Sequence, residues 1–319
     1  MSVETEPLAL PVLRPHTELV RGILPVLACS VLWGGIGLVS VYAPAHARPE
    51  SVGALGLLLT GLLMLTVRPG ARALLCRARG RRRTLLVVGS VGLFCYPLAF
   101  FPAVRLLGVA RATALTLGSA PLFAGLIARF VERRRLTRRW LRCAPIAVAG
   151  TVLLVAGDGG ARQISTLGVV LALIPGLSYA ATSTVAARCI AEGEASKHVY
   201  GAMFGICAVW CVPVLAVGGV AWVASPRGVS VVLFFSCVTN FLCYTLFGNA
   251  LRYTSAATAT TVTLAEGAVG TLLGVFAHGE RLAPAAWGGL GLLAAALVLL
   301  SLPQRTPGAA GPQAGRSSR

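Results

Sequence analysis

The sequence predicts an all-α membrane protein with about ten transmembrane helices, arranged as two inverted five-helix repeats. Composition, the lengths of the apolar segments and an internal repeat lead to this prediction. Of 319 residues, 56% are hydrophobic and 12% are charged, and the mean hydropathy is +0.80. Soluble domains carry about 25% charged residues. A water-soluble chain of this composition would expose large apolar patches, so the expected surroundings are a lipid bilayer.

The formal net charge of +18 would also fit a nucleic-acid-binding protein. The arginines stand, however, in short clusters between long apolar runs, which is the usual pattern at the ends of membrane helices. We therefore predict no nucleic-acid partner. The nine cysteines and four histidines follow no metal-ligand spacing, and we expect no metal site, no cofactor and no disulfide framework.

Each predicted helix is an apolar segment of about 17–25 residues, the length that crosses the hydrocarbon core. In chain order the segments are 22–45, 51–67, 84–104, 110–130, 141–157, 166–187, 199–223, 229–250, 256–277 and 284–302. Residues 1–21 contain three glutamates and resemble an uncleaved tail rather than a signal peptide. Residues 303–319, rich in Pro, Gly, Ser and Arg, are expected to be a disordered tail.

The distribution of basic residues predicts the orientation. With a cytoplasmic N-terminus, 22 arginine and lysine residues fall on the cytoplasmic side and 6 on the other. Cytoplasmic loops carry the excess of positive charge in membrane proteins. We therefore expect both termini in the cytoplasm and a multi-pass protein of the cell membrane.

Shifting the sequence by 147 positions aligns its two halves without a gap. Arg105 then coincides with Arg252 and Trp140 with Trp287, together with Ala, Thr and Leu matches around Thr113. The repeats predicted in this way are 22–157 and 166–302, each with five helices, so the copies must cross the membrane in opposite directions. Seven arginines in 128–142 against one in 275–289 agree with loops on opposite faces.

Three short motifs lie in the two repeats: Leu32-Trp33-Gly34, the stretch 263–267 (Thr-Leu-Ala-Glu-Gly) and Gly279-Glu280-Arg281-Leu282. Together they resemble the EamA family of the drug/metabolite transporter superfamily. Gly267 and Ala265 depart from the proline and leucine common in that family. The resemblance implies an inverted-repeat carrier with a central cavity that exports amino acids or other small metabolites, and leaves the substrate open.

Glu266 is the one carboxylate well inside a predicted span. An ionised side chain at mid-membrane costs about 2.5–3.5 kcal/mol on insertion scales and usually marks a functional site. Glu266 is therefore the candidate for proton coupling or for binding a substrate ammonium group. The alternative is a neutral glutamate that only bonds a neighbouring helix.

Polar-tipped side chains on other spans complete the predicted site, where aromatic faces suit an amphipathic or cationic solute. They are Trp33, Tyr96, Tyr179, Asn240 and Tyr244. Packing between helices is the alternative role for each. Pro121 and Pro175 interrupt backbone hydrogen bonding within their spans and are the predicted hinges.

These features favour a secondary-active transporter that exports amino acids, amines, other small metabolites or drugs by alternating access. Its expected partners are the lipid bilayer, a small-molecule substrate and a proton. An integral-membrane enzyme or lipid-modifying protein is the alternative, although no catalytic residue cluster is apparent. A non-transporting scaffold or sensor is a third option, and the sequence leaves open whether the protein forms a homodimer.

Overall fold

The computed structural model describes residues 17, 19–133, 138–156, 165–250, 253, 262–263, 265–277, 279 and 282–301, and these contain helices and no strand. The predicted tails lie almost entirely outside this part of the chain. We number the main helical segments in chain order: Leu19–Val41 (α1), Pro49–Val67 (α2), Gly80–Leu107 (α3), Val109–Phe130 (α4), Arg138–Ala156 (α5), Thr166–Ala191 (α6), Ser196–Gly218 (α7), Pro226–Ala250 (α8), Ala265–Ala277 (α9) and Pro284–Ser301 (α10). A connecting helix, Pro69–Arg77, lies between α2 and α3.

Seven of these helices, α1–α4 and α6–α8, are long and apolar enough to cross a membrane. The described parts of α5, α9 and α10 contain shorter apolar stretches of 10–17 residues. The predicted all-α class is thus confirmed, and the chain has the helices of a multi-pass membrane protein. The count of ten spans stays a prediction.

Helix ends follow local chemistry. Ser165 and Ser225 begin α6 and α8 as N-caps, and each hydroxyl accepts a hydrogen bond from a backbone N–H three residues on, at 3.1 and 3.0 Å. Such caps satisfy N–H groups that the helix itself leaves open. Between α3 and α4 stands Gly108 alone, with φ +88°. Glycine suits this reversal because a side chain would strain the backbone there.

Three helices contain irregular turns. α1 is interrupted at Gly35, and α8 and α9 contain π-helical segments at Phe234–Leu242 and Leu273–Ala277. A π-helical segment shifts backbone hydrogen bonding by one residue and is frequent near functional sites. A further π-helical turn, Leu19–Ile23, begins α1. These irregularities lie in helices that carry predicted site residues.

The closest helix pairs are α3–α6, α2–α7, α5–α10 and α4–α6. Exchanging each helix with the one five positions away maps many neighbouring pairs onto other neighbouring pairs. The pairs α2–α7, α4–α9 and α5–α10 map onto themselves, α3–α6 maps onto α8–α1, and α4–α6 maps onto α9–α1. This pattern fits an architecture of two repeats.

Ion pairs gather at one end of the bundle. Glu194, 8% exposed, accepts hydrogen bonds from Arg77 at 2.5 Å and Arg82 at 2.7 Å. At the end of α4, Glu132 pairs with Arg188 of α6 at 3.0 Å. Arginines that the sequence analysis used only as a topology signal therefore also join separate helices.

Candidate functional site

Glu266 lies in the first described turn of α9 and is 7% exposed. Its carboxyl group has neither a hydrogen bond nor an ion pair with another residue in the described part of the chain. A buried charge without a partner is costly, so such a group is retained where a solute, a proton or water can satisfy it. The structure thus places the predicted carboxylate in a setting that suits ligand or proton binding.

Helix α1 crosses α9 beside this carboxylate. A Cβ atom added to Gly34 would lie 2.8 Å from the Val269 side chain and 2.9 Å from the Glu266 carbonyl oxygen. Such distances are too short for any side chain, so glycine is required for the approach of the two backbones. Gly34 of the Leu-Trp-Gly motif therefore brings α1 against the turn that carries Glu266.

Trp33, the neighbour of Gly34, points to α8. Its indole Nε1–H donates to the Thr239 carbonyl oxygen at 2.7 Å, within the π-helical segment. Its ring lies 5.4 Å from that of Tyr244, measured between centroids, in a tilted arrangement. Tyr244 also contacts Tyr200 and Phe204, with centroid distances of 4.7 and 5.2 Å. These four rings, from α1, α7 and α8, form an aromatic cluster.

Tyr96 of α3 and Tyr179 of α6 complete the surroundings of Glu266. The hydroxyls of Tyr96, Tyr179 and Tyr244 lie within electrostatic range of the Glu266 carboxyl group. Side chains from five helices therefore lie in one region, and their role in substrate binding or coupling stays a prediction. Asn240 lies in the π-helical segment of α8 and is half-buried. Its role in binding stays a prediction.

The predicted hinges Pro121 and Pro175 lie inside α4 and α6, which continue as helices through both positions. Among the described residues of these helices, the α-helical pattern is interrupted at Gly35 and in the π-helical segments. The hinge role of the two prolines therefore remains a prediction, and the irregular turns of α1, α8 and α9 are further candidates for bending.

Sequence reasoning missed Tyr200 and Arg68. Tyr200 lies near the start of α7, where a tyrosine is an ordinary residue of a membrane interface, yet it packs on Tyr244. Arg68, 8% exposed, donates to the Lys197 carbonyl oxygen at 3.2 Å and to the Thr245 hydroxyl. Its guanidinium also lies 5.1 Å from the centroid of the Phe241 ring. Burial lowers the pKa of Arg68 from its ordinary value. In the sequence Arg68 is one of seven similar arginines, and only Pro69 beside it marks the turn.

A second feature, which we call the vestibule, is a cavity of about 1050 Å³ whose lining includes Tyr42, Phe101, Arg105, Arg111 and Arg227. Helix α2 begins at Pro49, which lines the vestibule, and ends beside Arg68. The vestibule therefore lies at the opposite end of the bundle from the Arg77–Glu194 ion pair. Phe101 in its lining packs against Phe235 in a tilted arrangement with a centroid distance of 5.1 Å, and both rings are buried. Phe100 in turn contacts Phe101 and Tyr96. A row of rings thus leads from the vestibule to the surroundings of Glu266.

Comparisons with known proteins agree with this architecture. The model of the EamA-like transporter family matches twice, over residues 20–156 and 166–302. An uncharacterized transporter of Bacillus subtilis (strain 168), YwfM, is 32% identical over 280 residues, which are 88% of this chain and 93% of that protein. One solved crystal structure aligns with a TM-score of 0.61 at 18% identity, over 87% of this chain and 95% of that one; at this identity the match shows the fold alone. Because the family match spans both halves, the chain belongs to the EamA-like transporter family and is a membrane transporter.

Proposed function

We propose that the protein is a secondary-active exporter of amino acids, amines or other small metabolites that works by alternating access. In this proposal ten spans form two inverted halves in the cell membrane, with both termini in the cytoplasm. Glu266 binds a proton or the ammonium group of the substrate. The aromatic cluster and the tyrosines around Glu266 hold the apolar part of the solute.

The observation that carries the proposal is the buried carboxyl group of Glu266, which has no hydrogen bond and no ion pair with another residue in the described part of the chain. A glutamate that only joined two helices would be bonded to one of them. A coupling group must instead exchange its partner during the cycle, which a permanent hydrogen bond would hinder. Tyrosine faces beside the carboxylate also suit an organic cation, because the aromatic quadrupole attracts positive charge.

Helices from both halves meet at this site, which supports alternating access. Glu266 and Tyr244 belong to the second repeat, Trp33 and Tyr96 to the first. A relative movement of the halves would change the distances among these groups and so expose the site to either side. The break at Gly35 and the π-helical segment of α8 allow such bending without the loss of a whole helix.

The test is transport by the purified protein in liposomes with a pH difference across the membrane, measured with a panel of amino acids, amines and drugs. Wild-type protein is expected to move a subset of solutes and to respond to the pH difference. Glu266→Gln keeps the shape and the hydrogen-bonding capacity but cannot titrate, and is expected to lose the response to pH.

Glu50→Gln is the matched control, since Glu50 lies in the first turn of α2 at the vestibule end. It is expected to transport as wild type does. A Glu266→Gln variant with wild-type rate and wild-type pH dependence would overturn the coupling role. If the folded protein transports none of the solutes in the panel, the carrier proposal is overturned.

A further inference from the structure

Charged side chains join the two repeats at the end of the bundle opposite the vestibule, and we call them the ion-pair network: Arg77, Arg81, Arg82, Glu192 and Glu194. Arg81 bonds Glu192 at 2.6 Å, and Arg77 bonds Glu194 at 2.5 Å. Arg82 contacts both carboxylates, Glu194 at 2.7 Å and Glu192 at 3.7 Å. The arginines belong to the connecting helix and the first turn of α3, in the first repeat, whereas the glutamates follow α6 in the second. The network therefore links the two halves of the molecule.

The turn after α6 holds both glutamates on that helix. The backbone N–H groups of Glu192 and Glu194 donate to the carbonyl oxygens of Arg188 and Cys189, at 3.1 and 3.2 Å. Between them Gly193 has φ +91°, a conformation that glycine adopts without strain. Glu194 is thereby kept in a buried position, 8% exposed, where a carboxylate needs a charged partner. A movement of α6 away from α3 must therefore break the pairs.

Each side of the network carries charges that are unfavourable for its own helix. Acidic residues suit the N-terminus of a helix and basic residues its C-terminus, because the helix dipole is positive at the first and negative at the second. Arg81 and Arg82 lie instead in the first turn of α3, which contains no acidic residue, and Glu192 is the C-cap residue of α6. The two helices are antiparallel, with Gly168 near the start of α6 against Leu107 at the end of α3. The charges are thus favourable across the contact between the halves, and not within either helix.

The equivalent pair of helices differs at the equivalent ends. Exchange of the halves maps α3 onto α8 and α6 onto α1, so the first turn of α8 and the last turn of α1 correspond to the ends that the network joins. Arg227 of α8 and Val41 of α1 both line the vestibule, so these two ends border a cavity. The same helices meet further along, where the Cys29 thiol donates to the Cys243 carbonyl oxygen at 3.4 Å. One end is thus joined in this conformation, while its counterpart borders a cavity.

We propose that the ion-pair network is a latch that holds its end of the carrier closed, and that it breaks when the conformation open at this end forms. The inference rests on the proposed alternating access between inverted halves, and it is the same whichever end faces the cytoplasm. Ion pairs that are partly exposed are individually weak, so they can break and re-form in each transport cycle. Such a latch shifts the equilibrium between two conformations without contacting the solute.

The test measures access of a maleimide to both ends of the purified protein in nanodiscs, where the reagent reaches both faces. Cys189 is the native reporter at the latch end, because it is fully buried one turn before Glu192, in an apolar cluster with Leu74 and Leu86. Ser40→Cys, in the half-buried lining of the vestibule, is the reporter at the other end. Mass spectrometry of the labelled peptides gives both rates in one experiment.

Glu194→Gln keeps the shape of the side chain and removes the charge that holds two arginines. We expect labelling of Cys189 to rise by about fivefold or more and labelling of Ser40→Cys to fall, because the population shifts from one conformation to the other. Glu50→Gln, in the first turn of α2 and outside the network, makes the same change in net charge and should leave both rates at wild-type values. Loss of a merely structural contact would expose Cys189 alone, and unfolding would expose both reporters. Either of these results would overturn the latch.

Exchange of one pair provides a second variant. Arg81→Glu together with Glu192→Arg restores an ion pair and gives each helix end a favourable charge, so rates close to wild type are expected. Either substitution alone should act as Glu194→Gln does. These variants also serve if Glu194→Gln does not fold, since both side chains are partly exposed. Unchanged rates in both single variants would overturn the latch.

Failure of the latch and failure of the carrier proposal are distinguishable, because the labelling rates need no solute. Transport by a protein whose rates do not shift would retain the carrier and overturn the latch. Opposite shifts at the two ends, in a protein that moves none of the solutes in the panel, would retain the latch and overturn the carrier as proposed.

Discussion

At the scale of single residues, Trp33 and Gly34 show how two adjacent positions have opposite requirements. Trp33 fills the space towards α8 and donates a hydrogen bond to the Thr239 carbonyl oxygen. Gly34 contributes no side chain, so that α9 can approach. Because successive residues of a helix point about 100° apart, one dipeptide can contact two different helices. The motif thus fixes α1 against both α8 and α9.

Trp33→Phe tests the hydrogen bond while it retains an aromatic ring beside Tyr244. We expect the free energy of unfolding to fall by about 1–2 kcal/mol, because the buried Thr239 carbonyl loses its donor. Trp287→Phe on α10, where the side chain is 40% exposed, should change stability by less than about 0.5 kcal/mol. Thermal unfolding in detergent, followed by a dye that reacts with the buried cysteines, measures both. Equal unfolding temperatures would contradict the importance of the Trp33 bond.

Arg68 is a second residue whose role depends on its surroundings. Arg68→Gln removes the bonds to the Lys197 carbonyl and the Thr245 hydroxyl and the contact with the Phe241 ring. We expect a loss of about 1–3 kcal/mol in stability. Arg72→Gln, an exposed neighbour on the connecting helix, is the control and should be nearly neutral. Similar stability of the two variants in the same thermal assay would show that Arg68 is not a structural anchor.

These residues also show the limits of sequence reasoning at this scale. Glu266 could be found because a carboxylate in an apolar run is costly wherever the run packs. Tyr200 and Arg68 could not, since an aromatic or basic residue near a span end is ordinary, and only the packing of α2, α7 and α8 brings them inside. The three vestibule arginines were counted but not connected, because they are 6 to 122 positions apart in the sequence.

At the scale of helices, α2 and α7 approach one another through glycine. A Cβ atom on Gly61 would clash with the Phe204 carbonyl oxygen and lie 2.8 Å from the Ala208 side chain. Gly201 and Gly205 of α7 are four residues apart, and there an added Cβ would meet Ala71 and Leu65, each at 2.8 Å. The spacing of small residues thus indicates where helices approach, but not which helix is the neighbour.

Gly61→Ala is expected to destabilise the protein by about 1–3 kcal/mol, because the backbones of α2 and α7 must move apart. Gly291→Ala on α10 is the matched control, since an added Cβ there meets nothing within 4 Å. Alanine favours the helix relative to glycine by about 1 kcal/mol, so the control should be neutral or slightly stabilising. A Gly61→Ala protein as stable as the Gly291→Ala protein would contradict the close approach.

No sequence pattern predicted the irregular turns in these helices. The π-helical segment Leu273–Ala277 is apolar throughout, and six of the nine residues of Phe234–Leu242 are apolar. Apolar periodicity does not distinguish an α-helix from a π-helix when both faces are covered by protein or lipid. Proline was the more obvious signal for a break, yet α4 and α6 accommodate Pro121 and Pro175 within continuous helices.

At the scale of the whole molecule, duplication explains which helices are neighbours. The all-α class and most helix positions followed from apolar length, since bilayer thickness fixes how many residues a span needs. The pairing of α2 with α7 and of α5 with α10 was not predictable from hydropathy, which carries no information about neighbours. It is, however, the arrangement expected of two copies related by a two-fold axis in the membrane plane.

Inversion makes a prediction about the loops that follow α4 and α9, which occupy equivalent positions in the two repeats. Arg133→Cys and Gly279→Cys place single reporters in exposed positions of these loops, in a background where the exposed Cys76 and Cys237 are replaced by serine. An impermeant thiol reagent added to intact cells should label Gly279→Cys and leave Arg133→Cys unlabelled. Permeabilised cells should show labelling of both, which controls for reactivity.

Because each half has an odd number of predicted spans, equivalent loops must lie on opposite faces. Labelling of both reporters from outside would require an even number of spans between them, and would remove the inverted repeat on which alternating access through Glu266 depends.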